Sequence, residues 1–196
     1  MSTATPNPFD TFAPELEGPP RLAPSDVSFT VEDSVVGRLL VAVRDDGRVV
    51  TCAYVPDQAA EDRWLTRVAS TVSPRVLRHP GATDAARRAL EDYLAGRARS
   101  VDVTPDLALA TPFQREVLDG LATRVGYGRR TTYAALARAV DHEGAARAVG
   151  NALGANPLCL VLPCHRVLPA SGGVGGYAGG AAAKEQLLAL EAAHAA

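Results

Sequence analysis

Two runs rich in β-branched residues, 36–43 and 49–55, flank the tripeptide Asp45-Asp46-Gly47. β-branched side chains favour extended backbone, and an Asp-Gly pair between two such runs is a strong hairpin signal. A hairpin has to pair in register and bury a face, so the fold must contain a sheet. The sequence therefore predicts antiparallel strands near 36–43 and 47–54.

Helical patterns follow this hairpin in the first half of the chain. They predict helices at 58–69 and 83–96, and Gly96 is suited to the left-handed residue that ends a helix. With a further strand near 28–32, residues 26–105 are expected to form a small α+β domain. Residues 1–25 contain six prolines and little periodicity, so we expect a disordered leader there.

A different architecture is indicated after residue 105. The tetrapeptide Thr111-Pro112-Phe113-Gln114 offers a Thr cap, a proline at the first helical position and a glutamine at the third, which is the capping-box pattern. The apolar residues that follow share one helical face: Phe113, Val117, Leu118 and Leu121. Residues 106–196 are therefore predicted to form a mainly helical second domain.

Two short helices are predicted next. Thr132 is placed to cap a helix over 133–140, a break follows at 141–144, and a second helix is expected over 145–154. Such a pair fits the helix-turn-helix pattern of DNA-binding proteins. Many helix pairs of this kind serve only for packing, and the pattern by itself leaves both interpretations open.

The second helix of this pair has an unusual surface. One face can turn to the core and holds Ala145, Val149, Ala152 and Leu153. Another face holds Arg147, Gly150, Asn151 and Gly154. Glycine costs ~1 kcal/mol relative to alanine inside a helix, so two glycines indicate that something approaches this face closely. A ligand surface and a neighbouring helix remain equal alternatives at this point.

Bulk composition narrows the class of protein. The chain is 47% hydrophobic and 21% charged, as in ordinary globular domains, and no apolar run nears the ~18 residues that span a bilayer. Met1 to Pro24 lacks the basic and apolar regions of a signal peptide. Three cysteines, at 52, 159 and 164, match neither a disulfide framework nor a zinc-ligand spacing. We expect a cytoplasmic protein with no membrane attachment and no metal site.

Charge differs between the two halves of the chain. The net charge of −2 does not favour nucleic acid. However, residues 1–110 hold 12 Arg against 16 Asp and Glu, whereas residues 111–196 hold eight basic against six acidic residues. Any contact with DNA is therefore expected from the second half, with a modest electrostatic contribution.

Cys164 stands in the apolar run 158–168, directly after a proline and before His165 and Arg166. A buried cysteine is most often an inert small hydrophobe. Two features oppose that interpretation here. A basic pair beside an apparent core strand needs partners, and an imidazole next to a thiol is a common device for forming the nucleophilic thiolate.

Glu191 is a candidate partner for this basic pair. It shares the inward face of the predicted final helix, 181–193, with Leu187 and Leu188, because residues three and four apart are neighbours on a helix. His165 or Arg166 is the expected partner, and a solvated carboxylate near the helix end is the alternative. In the first case Cys164, His165 and Glu191 would serve as nucleophile, base and orienting acid.

The segment from Ser171 to Gly180 contains six glycines. Such a backbone can lie close to a flat ligand, although a flexible linker has the same composition. Tyr177 in the middle of the segment favours a binding loop.

The cysteine segment, Pro163-Cys164-His165-Arg166-Val167, resembles the PCHRV motif of the O6-alkylguanine-DNA alkyltransferases, also called methylated-DNA–protein-cysteine methyltransferases. Further segments are similar to this family in order and spacing from 111 to 191: the helix opening at Thr111, Tyr127-Gly128 with Thr132-Tyr133, Ala145 to Gly150, Asn156-Pro157, Gly176 to Gly180, and Lys184 to Glu191. The first half agrees more loosely. The resemblance implies an α+β fold with an RNase H-like first domain and a helix-turn-helix in the second.

The resemblance also implies roles for individual residues. Cys164 would accept the alkyl group, His165 would act as its base through a water, and Glu191 would orient the imidazole. Tyr133 would help to rotate the target nucleotide and donate a hydrogen bond, and Asn156 would tie the helix pair to the active site. Arg147 would enter the base stack. Further DNA contacts are expected at Thr132, Ala145, Gly150 and Asn151, and the substrate pocket is expected to include Cys159, Arg166, Val167, Tyr177 and Ala178.

The implied activity is a single-turnover transfer of an alkyl group from O6-alkylguanine in double-stranded DNA, after the base is flipped out through the minor groove. O4-alkylthymine is left open as a second substrate. No cofactor is needed by this chemistry, and a monomer is expected. Cys159 stands where the family commonly has proline, so the alkyl groups accepted can differ. A non-catalytic damage sensor, a cysteine hydrolase and a helix-turn-helix transcription factor are the rival interpretations.

Overall fold

The computed structural model describes residues 26–195, so the leader predicted over 1–25 lies outside the described residues. The strands are β1 Val27–Ser34, β2 Gly37–Arg44, β3 Val49–Tyr54, β4 Val76–Arg78, β5 Thr131–Thr132 and β6 Val167–Leu168. The helices are α1 Gln58–Thr71, α2 Pro80–Leu94, α3 Pro112–Arg124, α4 Tyr133–Ala139, α5 Ala146–Gly154 and α6 Gly180–Ala193. Short 3₁₀ turns cover Leu107–Leu109 and Cys164–Arg166. The protein is therefore mixed α+β, as predicted.

The predicted hairpin forms β2 and β3, one half of a four-stranded sheet with the order β3-β2-β1-β4. β2 is antiparallel to both β1 and β3, while β4 is parallel to β1. The turn between β2 and β3 uses Gly47 at φ 84°, a left-handed conformation that suits glycine. β4 was not predicted, because three residues are too few to show an alternating pattern.

Both faces of this sheet are covered. Leu39, Val41 and Val43 of β2 face a core shared with α2 and the second half of the chain. Leu40 and Ala42 face α1 instead, as the two-residue period of a strand requires. Across the described residues, no helix is both long and apolar enough to cross a membrane.

The capping box predicted at the start of α3 is present. Thr111 Oγ1 accepts a hydrogen bond from the Gln114 amide (3.3 Å), and Gln114 Oε1 accepts one from the Thr111 amide (2.9 Å). These two bonds satisfy amides that a helix start leaves without partners. Val117, Leu118 and Leu121 are buried on the predicted face, and Phe113 packs against the same core.

One predicted helix boundary and one expected strand are wrong for local reasons. α2 begins at Pro80 rather than 83, because His79 Nδ1 caps the Ala82 amide (3.1 Å) and proline is favoured at the first helical position. The apolar run after Pro157 is not a core strand. It makes one parallel bridge, between Leu158 and Cys52, and then turns, because the Asn156 side chain bonds the Leu158 amide and the Leu162 carbonyl in place of a second strand.

The contact between α3 and Val140, the residue that caps the end of α4, gives a stability prediction. A Cβ at Gly120 would lie 2.2 Å from Cγ1 of Val140, and overpacking typically costs about 1–3 kcal/mol. Alanine otherwise favours a helix over glycine by about 1 kcal/mol. We expect Gly120→Ala to lower the free energy of unfolding in urea, because the β-branched valine is stiff. In a Val140→Ala background the same substitution should raise it. An increase in both backgrounds would contradict the overlap.

Candidate active site around Cys164

Cys164 begins the 3₁₀ turn Cys164–Arg166 and is 6% exposed. It lines a cavity of about 320 Å³ together with Tyr133, Gly150, Leu153, Gly154, Gly176, Tyr177 and Ala178. The structure thus brings the expected site residues Cys164, Tyr133, Gly150, Tyr177 and Ala178 together at one cavity. Cys159, Arg166 and Val167 are buried but do not line this cavity, which corrects the expectation that they form its wall.

Asn156 fixes the position of the Cys164 sulfur. Its Nδ2 donates to the Leu162 carbonyl (2.9 Å) and to Cys164 Sγ (3.3 Å), and its Oδ1 accepts from the Leu158 amide (2.9 Å). The side chain is 3% exposed. Because the oxygen and the nitrogen both have backbone partners, the amide cannot rotate, and one N–H stays directed at the sulfur.

Glu191 is the acid to which the basic pair is bound. It is 1% exposed, and its Oε1 lies 3.0 Å from His165 Nε2 and accepts from the Tyr93 hydroxyl (2.7 Å). The Gly128 amide donates to Oε2 (3.1 Å). Burial alone would raise the pKa of Glu191, but hydrogen bonds from His165 and Arg166 outweigh it and lower that pKa to about 2. The carboxylate is therefore ionised at neutral pH.

Arg166 binds the Glu191 carboxylate and does not line the cavity. Its Nε lies 3.0 and 3.1 Å from the two Glu191 oxygens, its Nη2 donates to Oε1 (2.8 Å), and its Nη1 donates to the Val125 carbonyl (2.7 Å). A planar guanidinium matches a carboxylate in this forked way. The expected partnership of Glu191 with His165 or Arg166 thus involves both.

The imidazole of His165 is fully buried. Burial lowers its pKa in spite of the neighbouring Glu191, so the ring is neutral at neutral pH. The bond to Glu191 assigns the ring proton to Nε2. Nδ1 is then an acceptor, and among the described residues it has no hydrogen-bond partner.

The thiol of Cys164 is poised to ionise. Contact with the Cys159 thiol is the largest influence that lowers its pKa; burial opposes this, and the Asn156 hydrogen bond and the Lys184 charge assist it. Lys184 lies on α6, is 1% exposed, and donates from Nζ to the Val167 carbonyl (2.7 Å). A thiolate is the reactive form of cysteine.

Pairing of β5 with β6 places Tyr133 beside Cys164. Thr131 pairs with Val167 and Thr132 with Leu168 in parallel register, which joins the residues just before Tyr133 to those just after the 3₁₀ turn. Thr132 also caps α4, since its Oγ1 accepts from the Ala135 amide (3.1 Å). The Tyr133 ring lies over Gly150 of α5, 3.7 Å from where a Cβ would stand.

α5 has the two faces that the sequence predicted. Val149, Ala152 and Leu153 are buried, whereas Arg147, Asn151 and Gly154 are exposed and Gly150 is half-buried. Ala145 is half-buried and precedes the helix as its cap, without a side-chain hydrogen bond. A surface depression lined in part by Arg147, Gly150 and Asn151 shares Tyr133 and Gly150 with the Cys164 cavity. The exposed face of α5 is therefore continuous with the cavity mouth.

The glycine-rich loop is held by a residue that the sequence did not single out. Tyr54 of β3 packs edge-on against Tyr177 with ring centroids 5.4 Å apart, and their hydroxyls lie 3.4 Å apart. A Cβ at Gly179 would stand 2.5 Å from the Tyr54 ring, so glycine is required there. The first half of the chain thus supports one wall of the cavity.

Tyr54, Tyr93 and Lys184 are the site residues that sequence reasoning missed. Lys184 carried a usable signal, because it is the single lysine among 20 basic residues and falls on the inward face of α6. The two tyrosines lie in the first half and reach the site only through the tertiary fold. Among the described residues there is no cluster of three or more metal-type side chains.

Comparison with known proteins agrees with this geometry. The family model for the 6-O-methylguanine DNA methyltransferase DNA-binding domain matches residues 112–193. A methylated-DNA–protein-cysteine methyltransferase of Mycolicibacterium paratuberculosis is 39% identical over 86% of this chain and 94% of its own length. The corresponding protein of Mycobacterium leprae is 38% identical over 81% of this chain and 88% of its own length.

Solved structures give the same result. The crystal structure of the Mycobacterium tuberculosis O6-methylguanine methyltransferase superposes with a TM-score of 0.74 at 34% identity, covering 87% of this chain and 95% of that one. A complex of the M. tuberculosis protein with DNA gives a TM-score of 0.71 at 33% identity, covering 85% and 94%. On these similarities over nearly the full length of its relatives, the chain belongs to the methylated-DNA–protein-cysteine methyltransferase family.

Proposed function

We propose that this protein repairs DNA by direct reversal, moving an alkyl group from O6 of guanine onto Cys164. One observation carries the proposal: a buried cysteine of lowered pKa lines a cavity that opens beside the exposed, small-residue face of α5. The similarity to a protein crystallised with DNA supports DNA as the partner. O4-alkylthymine is a second substrate to be tested.

α4 and α5 are proposed to act as a helix-turn-helix whose second helix lies in the minor groove. Glycines at 150 and 154 leave the exposed face of α5 thin enough for close approach. Arg147 projects from that face and would enter the base stack when the target nucleotide leaves it. Further DNA contacts are proposed at the neighbouring positions Thr132, Ala145, Gly150 and Asn151.

The target base is proposed to flip into the Cys164 cavity. The O6 substituent of guanine is not accessible to a buried thiol while the base stays stacked, and enzymes that act on a base extrude it at a cost of about a few kcal/mol. The cavity of about 320 Å³ is within the range for small-ligand sites. Tyr133, at the junction of the cavity and the α5 face, would guide the rotating nucleotide.

The transfer is a single displacement at carbon. The Cys164 thiolate attacks the alkyl carbon, a C–S bond forms, and the C–O6 bond breaks with its electron pair going to guanine. The thiol proton passes through a water to Nδ1 of His165, which Glu191 holds in the accepting tautomer. The departing guanine anion takes up one proton from water, which balances the proton that Cys164 gave up and that His165 returns to water, while Tyr133 donates a hydrogen bond to the leaving base. The thioether is stable, so each molecule acts once, and no cofactor enters the balance.

The organisation of the chain is proposed on the same basis. We assign residues 26–105 to an RNase H-like first domain, since β4 adds parallel to β1 in an otherwise antiparallel sheet, and residues 106–196 to the DNA-binding transferase domain. The protein is proposed to act as a monomer in the cytoplasm.

Transfer of a labelled methyl group from O6-methylguanine in duplex DNA tests the acceptor. We expect one label per molecule on the Cys164 peptide of the wild type and none on Cys164→Ala, because the thioether is not turned over. Cys52→Ala, which removes another buried thiol, should label normally. Binding of the lesion without any label on wild-type protein would support a damage sensor instead.

Substitution of Arg147 tests the base-stack role. Arg147→Ala should slow repair of duplex DNA by about tenfold or more, because the vacated space is no longer held, while reaction with free O6-benzylguanine changes little. Arg88→Ala removes an exposed arginine of α2 and controls for charge. Equal losses on both substrates would exclude this role for Arg147.

The Glu191 ion pair predicts a specific dependence on pH. The pKa of Glu191 is lowered to about 2 in the folded protein. The ionised carboxylate therefore contributes fully to the free energy of unfolding above its ordinary pKa, and this contribution is lost as the pH falls toward 2. Glu191→Gln should cost about 3–5 kcal/mol of unfolding free energy at neutral pH, the usual result of breaking a buried pair, and this difference should shrink on acidification. Glu185→Gln, exposed on the same helix, should change neither quantity. A pH-independent difference would show that the carboxylate charge is not what stabilises.

A further inference from the structure

Asn156 contacts two cysteine sulfur atoms, one through its side chain and one through its backbone. Its Nδ2 donates to Cys164 Sγ (3.3 Å), and the Cys159 thiol donates to its backbone carbonyl (3.7 Å). Cys159 is 2% exposed and Cys164 is 6% exposed. Both thiols are therefore enclosed in the protein, and each is in contact with Asn156.

The turn between the two cysteines holds this arrangement. The Leu162 amide donates to the Leu158 carbonyl (2.8 Å), and the Val161 amide donates to the Cys159 carbonyl (2.9 Å). Leu160 takes a left-handed φ of 71°, which reverses the chain. On the other side, the Cys159 amide donates to the Cys52 carbonyl of β3 (2.8 Å). The backbone of Cys159 is thus fixed at both ends, and its thiol hydrogen is the part that can move.

A buried thiolate needs donors, because an unpaired charge away from water is costly. Asn156 already supplies one N–H. We propose that Cys159 is a second, positioning donor whose S–H turns from the Asn156 carbonyl to the Cys164 sulfur when Cys164 ionises. The proposal rests on the function assigned to Cys164 above and adds a positioning role for Cys159.

The protonation states of the pair agree with this division of roles. The contact between them raises the pKa of Cys159 well above its ordinary value and lowers that of Cys164. Cys164 is therefore the more acidic of the two thiols. The other titratable groups that face Cys164 are Lys184 of α6, Tyr133 of α4, Tyr177 of the loop and Tyr54 of β3.

Proline at this position would lack both hydrogen-bond donors of Cys159. It has no side-chain donor and no amide hydrogen for the Cys52 carbonyl. Cys159→Pro would therefore change the backbone and the donor together. Alanine and serine both keep the amide, so they isolate the side chain: alanine removes the donor, and serine replaces S–H by O–H.

The test is the pH dependence of Cys164 alkylation by iodoacetamide, measured on the Cys164 peptide by mass spectrometry from about pH 5 to about pH 9. This reads thiol acidity without DNA. We expect Cys159→Ala to shift the midpoint upward and slow the reaction about three- to tenfold at neutral pH, with the plateau at high pH unchanged. Cys159→Ser should return the midpoint toward wild type. Cys52→Ala, a matched loss of a buried thiol, should leave it in place.

Three results would overturn the proposal: a wild-type midpoint in Cys159→Ala, an equal shift in Cys159→Ser, or an equal shift in Cys52→Ala. The last would indicate general loosening of the core. Methyl transfer from DNA is assayed in parallel on the same samples. If wild type transfers no methyl group while the midpoints move as expected, the proposed function fails and the role of Cys159 stands.

Discussion

The Glu191 carboxylate is the group on which both the fold and the site depend. It is 1% exposed, and moving such a charge out of water costs several kcal/mol unless donors surround it. Those donors come from separate parts of the chain: Tyr93 of α2, His165 and Arg166 of the 3₁₀ turn, and the Gly128 amide before β5. Satisfying one charge therefore joins α2, α6 and the cysteine turn, and it sets the imidazole tautomer at the same time.

The reactive sulfur is held by a different principle. The Asn156 amide donates a hydrogen bond to the Cys164 sulfur, and the Cys159 thiol and the Lys184 charge also lower the pKa of Cys164, but none of these groups is recorded in an ion pair with the sulfur. A thiolate in a tight ion pair would be a weaker nucleophile, because the partner's charge would stabilise the anion. Confining the strong ion pair to Glu191 and Arg166 keeps the structural charge apart from the reacting one.

Local signals in the sequence predicted local structure well. The hairpin, the capping box at Thr111 and the two faces of α5 each follow from residues close together in the chain. The partnership of Glu191 with the basic pair also followed, because a carboxylate on an apolar helix face needs a partner. Tyr93 was missed because it lies 98 residues before Glu191, and Tyr54 because it lies 123 residues before Tyr177. The run after Pro157 was assigned to a strand because its composition is apolar, whereas a single side-chain amide at Asn156 decides its path.

Lys184 has a consequence for the chemistry of the whole molecule. It is the only lysine in the chain, and its amine is enclosed against the Val167 carbonyl. Amine-directed reagents such as activated esters therefore meet no accessible lysine while the described residues stay folded. Reaction at Lys184 requires α6 to separate from β6, so the rate of its acylation reports the opening of the segment that carries Cys164. A single buried amine thus makes the protein a reporter of its own local unfolding.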